Sequence, residues 1–188
     1  MIRLAVFWQK GKIRTIEFKN LVIWDKKMVS QNFSVGNGFI HKTELMELNN
    51  KIAVVTGVSK GVGLEVVKLL VEKGTIVAGW GRNKPHFDHP NFHFFTCDVA
   101  VEEQVENAYQ ATVAKLGSDI RILVNNAGFG VAGPFETMSS EDWKSMFDTN
   151  VHGIFYVSKR LIPAMKAADE GHILNVASIA GLNGVANF

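Results

Sequence analysis

From residue 46 onward, short apolar runs alternate with segments of helical period, and that alternation confines the chain to a narrow set of folds. Residues 52–55, 75–80, 92–96, 120–125 and 172–177 read as strands. The first of them is apolar on both faces and ends in Thr56-Gly57, as expected of a strand in the middle of a parallel sheet. Residues 62–73 and 101–116 read as helices closed by Gly74 and Gly117. In the second of these, Val101, Val105, Ala108, Thr112 and Leu116 form one face. Ser139 or Ser140 caps a further helix opening at Glu141-Asp142, acids that suit the positive helix end. It leads to a long helix with Val151, Ile154, Phe155, Ser158, Ile162 and Met165 as its expected inner face. Strand–helix alternation of this kind predicts an α/β fold: a doubly wound parallel sheet of about five strands, covered on both faces by helices. One link differs. The ten residues GRNKPHFDHP between the second and third strands hold two prolines and no helical pattern, so an extended crossover is expected there.

With 188 residues the chain is long enough for one domain with a substantial core. Hydrophobic residues at 47% and charged residues at 20% exclude overall disorder. No run approaches the roughly 18 apolar residues of a membrane span. The opening MIRLAVFW is cut short by Gln9, Lys10 and Lys12, a poor signal peptide. Cys97 is the single cysteine and cannot form an internal disulfide, which fits a reducing, cytoplasmic setting.

The net charge of +2 divides unevenly along the chain. Residues 1–45 carry eight Lys or Arg against three Asp or Glu, whereas residues 46–188 carry twelve against fifteen. The basic excess therefore sits in the leading segment, and the body has no basic stripe of the sort nucleic acid requires. Two parts are expected: a leader, residues 1–45, and a nucleotide-binding domain, residues 46–188, incomplete at its C-terminal side. The leader has two strand-like stretches, a turn-like SVGNGF, and Trp8 and Trp24 as elements of a partner patch. The favoured reading over such a patch is a leader that is not native protein, since Met46 stands where the domain pattern begins.

The sharpest local pattern is Thr56-Gly57-Val58-Ser59-Lys60-Gly61-Val62-Gly63, between a strand and a helix. Glycines let a backbone turn tightly and approach a pyrophosphate, which then sits at the positive end of the helix. The spacing is Gly-x-x-x-Gly-x-Gly rather than the commoner dinucleotide fingerprint, and a tight turn without a ligand is the alternative reading.

Further along come Cys97-Asp98-Val99, Asn125-Asn126-Ala127-Gly128, Asn150 in the long helix and Ser178 after the fifth strand. In this order, over residues 49–188, the motifs resemble the short-chain dehydrogenase/reductase superfamily, in the branch similar to 3-oxoacyl-thioester reductases. The resemblance implies a Rossmann-type fold with Gly57, Gly61 and Gly63 forming the phosphate turn and the Val62 backbone facing the pyrophosphate. It implies that Asp98 and the Val99 backbone hold the adenine and that Asn125, Asn126, Ala127 and Gly128 line the adenine ribose. Asn150 matches the structural Asn of the catalytic tetrad, which supports a proton-relay water. Ser178 matches the Ser that hydrogen-bonds the substrate carbonyl. Each also has a plain structural reading, as a capping carboxylate, a helix-bend Asn or a loop Ser.

Cofactor choice follows from charge. NAD-binding folds place an acid near the end of the second strand to accept from the ribose 2′-hydroxyl, whereas NADP needs cations for the 2′-phosphate. Here Trp80-Gly81-Arg82-Asn83 puts Gly where the acid would stand and Arg beside it. With Ser59 and Lys60 in the glycine turn, this favours NADPH.

The implied reaction is hydride transfer between nicotinamide and a carbonyl or alcohol, in a small molecule or an acyl thioester, by a protein that forms homo-oligomers when complete. The alkoxide needs a proton from a general acid. In the family this is a Tyr with a Lys four residues later, about a dozen residues after the Ser. The ten residues after Ser178 contain neither. Tyr156 and Lys159 have the wrong spacing, Arg160 stands four residues after Tyr156, and Tyr109 is no better placed. The expectation is an incomplete, inactive form of an NADPH-dependent reductase; the alternative is a non-catalytic dinucleotide-binding or regulatory module. His86, Asp88, His89, His93 and Cys97 match no metal-ligand spacing, and no metal site is expected.

Overall fold

In the computed structural model, residues 47–178 are described in full, and residues 5–9 and 12–16 as backbone strands. The SVGNGF turn, Trp24 and the residues after Ser178 lie outside the described residues. Among the described residues, seven strands form one sheet: β1 (Ala5–Gln9), β2 (Lys12–Ile16), β3 (Ile52–Thr56), β4 (Ile76–Gly81), β5 (Phe92–Thr96), β6 (Ile120–Asn125) and β7 (Glu170–Asn175). Their spatial order is β2-β1-β7-β6-β3-β4-β5. β3 to β7 pair in parallel, giving the five-stranded parallel sheet expected. The β4–β5 link contains no helix among its residues, in keeping with the two prolines.

The helices are α1 (Gly61–Glu72), α2 (Glu102–Leu116), α3 (Ser140–Phe147) and α4 (Gly153–Ala167). Alternation along β3 assigns its side chains to two cores. Ala53 and Val55 join Val67 and Val71 of α1 on one face. Ile52 and Val54 join Val105 and Ala108 of α2 and Val157, Leu161 and Met165 of α4 on the other. Both faces of the strand are dry, so its unbroken apolar run has a physical cause. Trp80, fully buried, donates through Nε1 to Thr112 Oγ1 at 3.0 Å, satisfying its one polar atom.

The inner face of α4 differs from expectation. Gly153, Val157, Leu161 and Met165 are buried, while Val151, Phe155 and Ile162 face outward. Two features cause this. The five residues Asp148–His152 form a wide π turn, which rotates the helix beyond it by about one residue, roughly 100°. Gly153 also lets α4 approach Val99 closely: a Cβ there would lie 2.7 Å from the Val99 side chain. In α2, likewise, Tyr109 is buried and Val101 is exposed. The Arg160 guanidinium lies 3.6 Å from the Tyr109 ring centroid and pairs with Glu106 at 2.6 Å, tying α4 to α2.

At the amino ends of the strands, Lys51 donates to Glu170 at 2.8 Å, and Arg121 approaches the same carboxylate at 3.6 Å. The Lys51 hydrogen bond, with the charges of Lys51, Arg121 and His172, holds the Glu170 carboxyl below the usual range against the opposing effect of burial. A carboxyl with a lowered folded pKa stabilises the fold above its unfolded pKa, and that contribution is lost as pH falls through the folded value. Because the carboxylate is 40% exposed, Glu170→Gln is expected to lower stability by less than about 1 kcal/mol at neutral pH. Denaturant titrations should show this difference vanishing in acid; a difference that grows in acid would refute the linkage.

Candidate cofactor and active site

Strand order reverses at β3: the chain proceeds through β4 and β5 on one side, then through β6 and β7 on the other. In open α/β sheets, ligands bind in the crevice at the carboxyl ends of the strands beside such a reversal. Thr56-Gly57 leaves β3 there, and Asn125 to Gly128 leave β6.

The glycine turn is shaped by two constraints. Gly57 has φ +71° and lies so close to the β6 loop that a Cβ would sit 2.7 Å from the Ala127 Cα. Gly63 packs against the turn itself, where a Cβ would lie 2.3 Å from the Gly57 carbonyl oxygen. Gly61 also has positive φ, with open space beside it. The helix that follows differs from α2 and α3. α2 opens with Glu102 and Glu103, and α3 opens with the Ser139 hydroxyl accepting from Asp142 N and with Glu141 and Asp142 in the first turn. α1 has neither a side-chain cap nor an acid in its first turn. Its positive end therefore carries no side-chain compensation of its own, and Val62 is exposed there.

Thr56 was not singled out as a site residue, yet it joins the two sides of the crevice. Its Oγ1 accepts from the backbone N–H of Asn126 and of Ala127, each at 3.0 Å, and donates to Val124 O at 3.4 Å. The Asn126 amide donates to the carbonyls of Thr56 and Gly57 at 3.0 and 3.1 Å. A Thr at the last position of a central strand, opposite an Asn-rich loop, was the available sequence signal. Asn125 turns inward instead, donating to Asn175 Oδ1 at 2.8 Å and Ser158 Oγ at 3.2 Å. This links the ends of β6 and β7 to α4. Asn175 and Ser158 had no such role in the sequence reading.

At the end of β4, Ser59 Oγ donates to the Asn83 carbonyl at 2.6 Å, fastening the glycine turn to the loop that carries Arg82. Lys60, Arg82 and Asn83 are exposed. After β5, Asp98 Oδ1 accepts from Ala100 N at 3.0 Å, and the Asp98 N–H donates to Gln104 at 2.8 Å. Asp98 thus has a local turn-forming role, and Val99 beside it is buried.

Asn150 lies within the π turn. Its Nδ2 donates to Phe129 O at 2.8 Å, and its Oδ1 accepts from Phe129 N at 3.0 Å. The side chain therefore clamps the loop after Gly128. Ser178 is exposed three residues beyond Asn175. Neither tyrosine is presented as an acid: Tyr109 is buried beneath Arg160, and Tyr156 packs half-buried against the core.

Burial first, then the Asp98 charge, pushes the Cys97 thiol up to about 12, so it is no nucleophile at neutral pH. Among the described residues, no group of three or more His, Cys, Asp or Glu could hold a metal ion. His89 instead stacks on Phe87, and its Nδ1 accepts from Asn91 N. No helix among the described residues is long and apolar enough to cross a membrane.

The family model described as short chain dehydrogenase matches residues 51–188. A 3-oxoacyl-[acyl-carrier-protein] reductase of Chlamydia muridarum is 35% identical over 147 residues, 73% of this chain and 59% of the reductase. A 3-ketoacyl-(acyl-carrier-protein) reductase of Brucella melitensis, solved with NADH, has a TM-score of 0.70 at 29% identity, covering 74% of this chain and 62% of its own. A serine dehydrogenase solved in its closed form with NADP+ has a TM-score of 0.66 at 31% identity, covering 72% and 57% respectively. The chain spans about six-tenths of the length of the curated relatives it matches. A glycine turn before an uncapped helix, placed at the strand-order reversal of a doubly wound sheet, agrees with these likenesses: the chain belongs to the short chain dehydrogenase family of oxidoreductases, which bind nicotinamide cofactors.

Proposed function

We propose that the chain binds NADPH and belongs to a reductase that transfers hydride between the nicotinamide and a carbonyl or alcohol, with a 3-oxoacyl thioester as the model substrate. The observation that carries the cofactor choice is the pairing of exposed Arg82 and Lys60 across the Ser59–Asn83 hydrogen bond, with Gly81 where an acid would serve NAD. Gly57, Gly61, Val62 and Gly63 receive the pyrophosphate at the uncapped end of α1. Arg82, Lys60, Ser59 and Asn83 surround the 2′-phosphate, Arg82 through its planar fork. Asp98 and Val99 flank the adenine, and Asn125 to Gly128 shape the wall beside the ribose. Bound nicotinamide supplies or accepts the hydride. Ser178 donates to the substrate carbonyl oxygen, and Asn150 keeps the Phe129 loop in place.

Loss of a charge-assisted contact to phosphate is worth about 1.5–3 kcal/mol. Arg82→Ala is therefore expected to weaken NADPH binding roughly 10- to 100-fold while leaving NADH within about twofold. Titration of cofactor fluorescence reads both constants. Equal loss for the two cofactors, or no loss, would overturn the assignment to the 2′-phosphate. With both tyrosines engaged, the 188-residue chain is expected to bind NADPH without turning over 3-oxoacyl thioesters. Turnover would locate a proton donor elsewhere.

We also propose that the protein self-associates through the outer face of α3 and α4. Phe147 at the end of α3, Val151 in the π turn and Phe155 in α4 are exposed by 42%, 50% and 58%. Phe155→Asp should shift light-scattering mass toward the monomer, and an unchanged mass would exclude this face.

A further inference from the structure

A cavity of about 230 Å³ opens beside β5, lined by Lys84, Asp88, Phe92, His93, Phe94 and Lys115. Phe92 and His93 begin β5, and Lys115 stands in the last turn of α2, four residues before β6 starts. The cavity therefore lies toward the amino ends of the strands, whereas the glycine turn leaves β3 at its carboxyl end. We propose that this cavity binds the phosphate group of a small molecule, at a site separate from that of the dinucleotide.

The donors converge from three elements. Lys84 comes from the β4–β5 link, Lys115 from α2, and His93 from β5. The β5 backbone adds a fourth. Val77 N donates to Asn91 O and Cys97 N donates to Gly81 O, so odd-numbered residues of β5 bond to β4 and the Phe94 N–H points away from it. The neighbouring outward amide, Phe92 N–H, already donates to His89 O at 2.9 Å. Two ammonium groups, an imidazole and an amide suit a compact oxyanion with several acceptor oxygens, and lysine serves phosphate as a point charge. Asp88, the one carboxylate in the lining, pairs with Lys84 at 3.4 Å and is 93% exposed, so water and salt screen its repulsion of an anion. Drug-sized ligands occupy roughly 300–1,000 Å³, so this smaller cavity suits a phosphate bearing a few carbon atoms.

Burial first, then the Lys115 charge, holds the His93 imidazole below its usual range. Around it stand Lys115 from α2, Lys84 and Asp88 from the link, and uncharged Ala78 as its partner on β4. A bound anion offsets the Lys115 charge, so phosphate binding and protonation of His93 favour each other.

Magnetic resonance titration of the 188-residue chain tests the site with inorganic phosphate and phenyl phosphate, against sodium chloride at equal ionic strength. Both phosphates should shift the Phe94 amide and the His93 ring and move the His93 titration to higher pH. Tighter binding of phenyl phosphate would identify an ester as the ligand, and equal binding the free anion; either supports the site. Shifts that chloride reproduces would reduce it to charge screening and overturn it. Lys115→Ala, an exposed change, should weaken phosphate binding roughly two- to fivefold and leave NADPH binding within about twofold. Unweakened phosphate binding, or displacement of phosphate from His93 by NADPH, would overturn the proposal. The phosphate titration runs whether or not the chain binds NADPH, so its failure is distinct from failure of the cofactor reading.

Discussion

Gly57→Ala is expected to lower the unfolding free energy by about 2–5 kcal/mol, among the largest effects of a single methyl group anywhere in this chain. Two costs act together. A φ of +71° places an alanine in the left-handed region, at roughly 1–2 kcal/mol. The new Cβ would also meet the Ala127 Cα at 2.7 Å and its backbone nitrogen at 2.9 Å. Backbone atoms cannot rotate aside as a side-chain tip can, so the β6 loop must shift, at about 1–3 kcal/mol more. Gly61 supplies the internal control, since its φ is +62° with nothing within 4 Å. Gly61→Ala should therefore show only the backbone cost. Urea unfolding of both variants measures the contrast. Equal losses, or a Gly57→Ala change below about 0.5 kcal/mol, would show that the two loops are not in contact.

Thr56→Val should cost about 2–4 kcal/mol although the two side chains have nearly the same shape. The hydroxyl accepts from two backbone N–H groups of the neighbouring loop and donates to a third residue. Valine leaves both N–H groups without that partner, at about 1–3 kcal/mol apiece where water cannot replace it. Thr56 is 2% exposed, so replacement by water is restricted. Thr56→Ser keeps the oxygen and should retain most of the stability. If Thr56→Ser and Thr56→Val were equally damaging, packing of the methyl group rather than the hydrogen bonds would be the cause. NADPH affinity should fall with stability in the Val variant, because the same bonds hold the wall of the crevice to the glycine turn.

Much of this arrangement was legible from local pattern. Strand cores such as Ile52–Thr56 are apolar on both faces because helices cover both, and buried parallel strands have little freedom to be otherwise. The glycine turn was legible for the same kind of reason: positive φ at Gly57 and close packing at Gly63 exclude most side chains. The prolines between β4 and β5 likewise announced a crossover without a helix. The facing of α4 was not legible. Apolar residues lie on several of its sides, and the π turn at 148–152 breaks the helical period on which any facing argument depends.

The site divides along the same line. Asn150 could be found by its place in an ordered set of motifs, but its two hydrogen bonds to Phe129 link residues 21 positions apart. Thr56 and Asn126 are 70 positions apart, and Asn125 and Asn175 are 50 apart. Periodicity carries no information over such separations. The sequence by itself determined the alternation of strands and helices, the turn that can approach a phosphate and the exchange of an acid for Gly81-Arg82. Each is dictated by backbone sterics or by charge within a few residues. Only the tertiary structure decided which face of α4 is buried, how Thr56 and Asn125 tie the strand ends together, and that the leading hairpin lies against β7. Those outcomes depend on hydrogen-bonding and packing partners that become neighbours only when the sheet assembles.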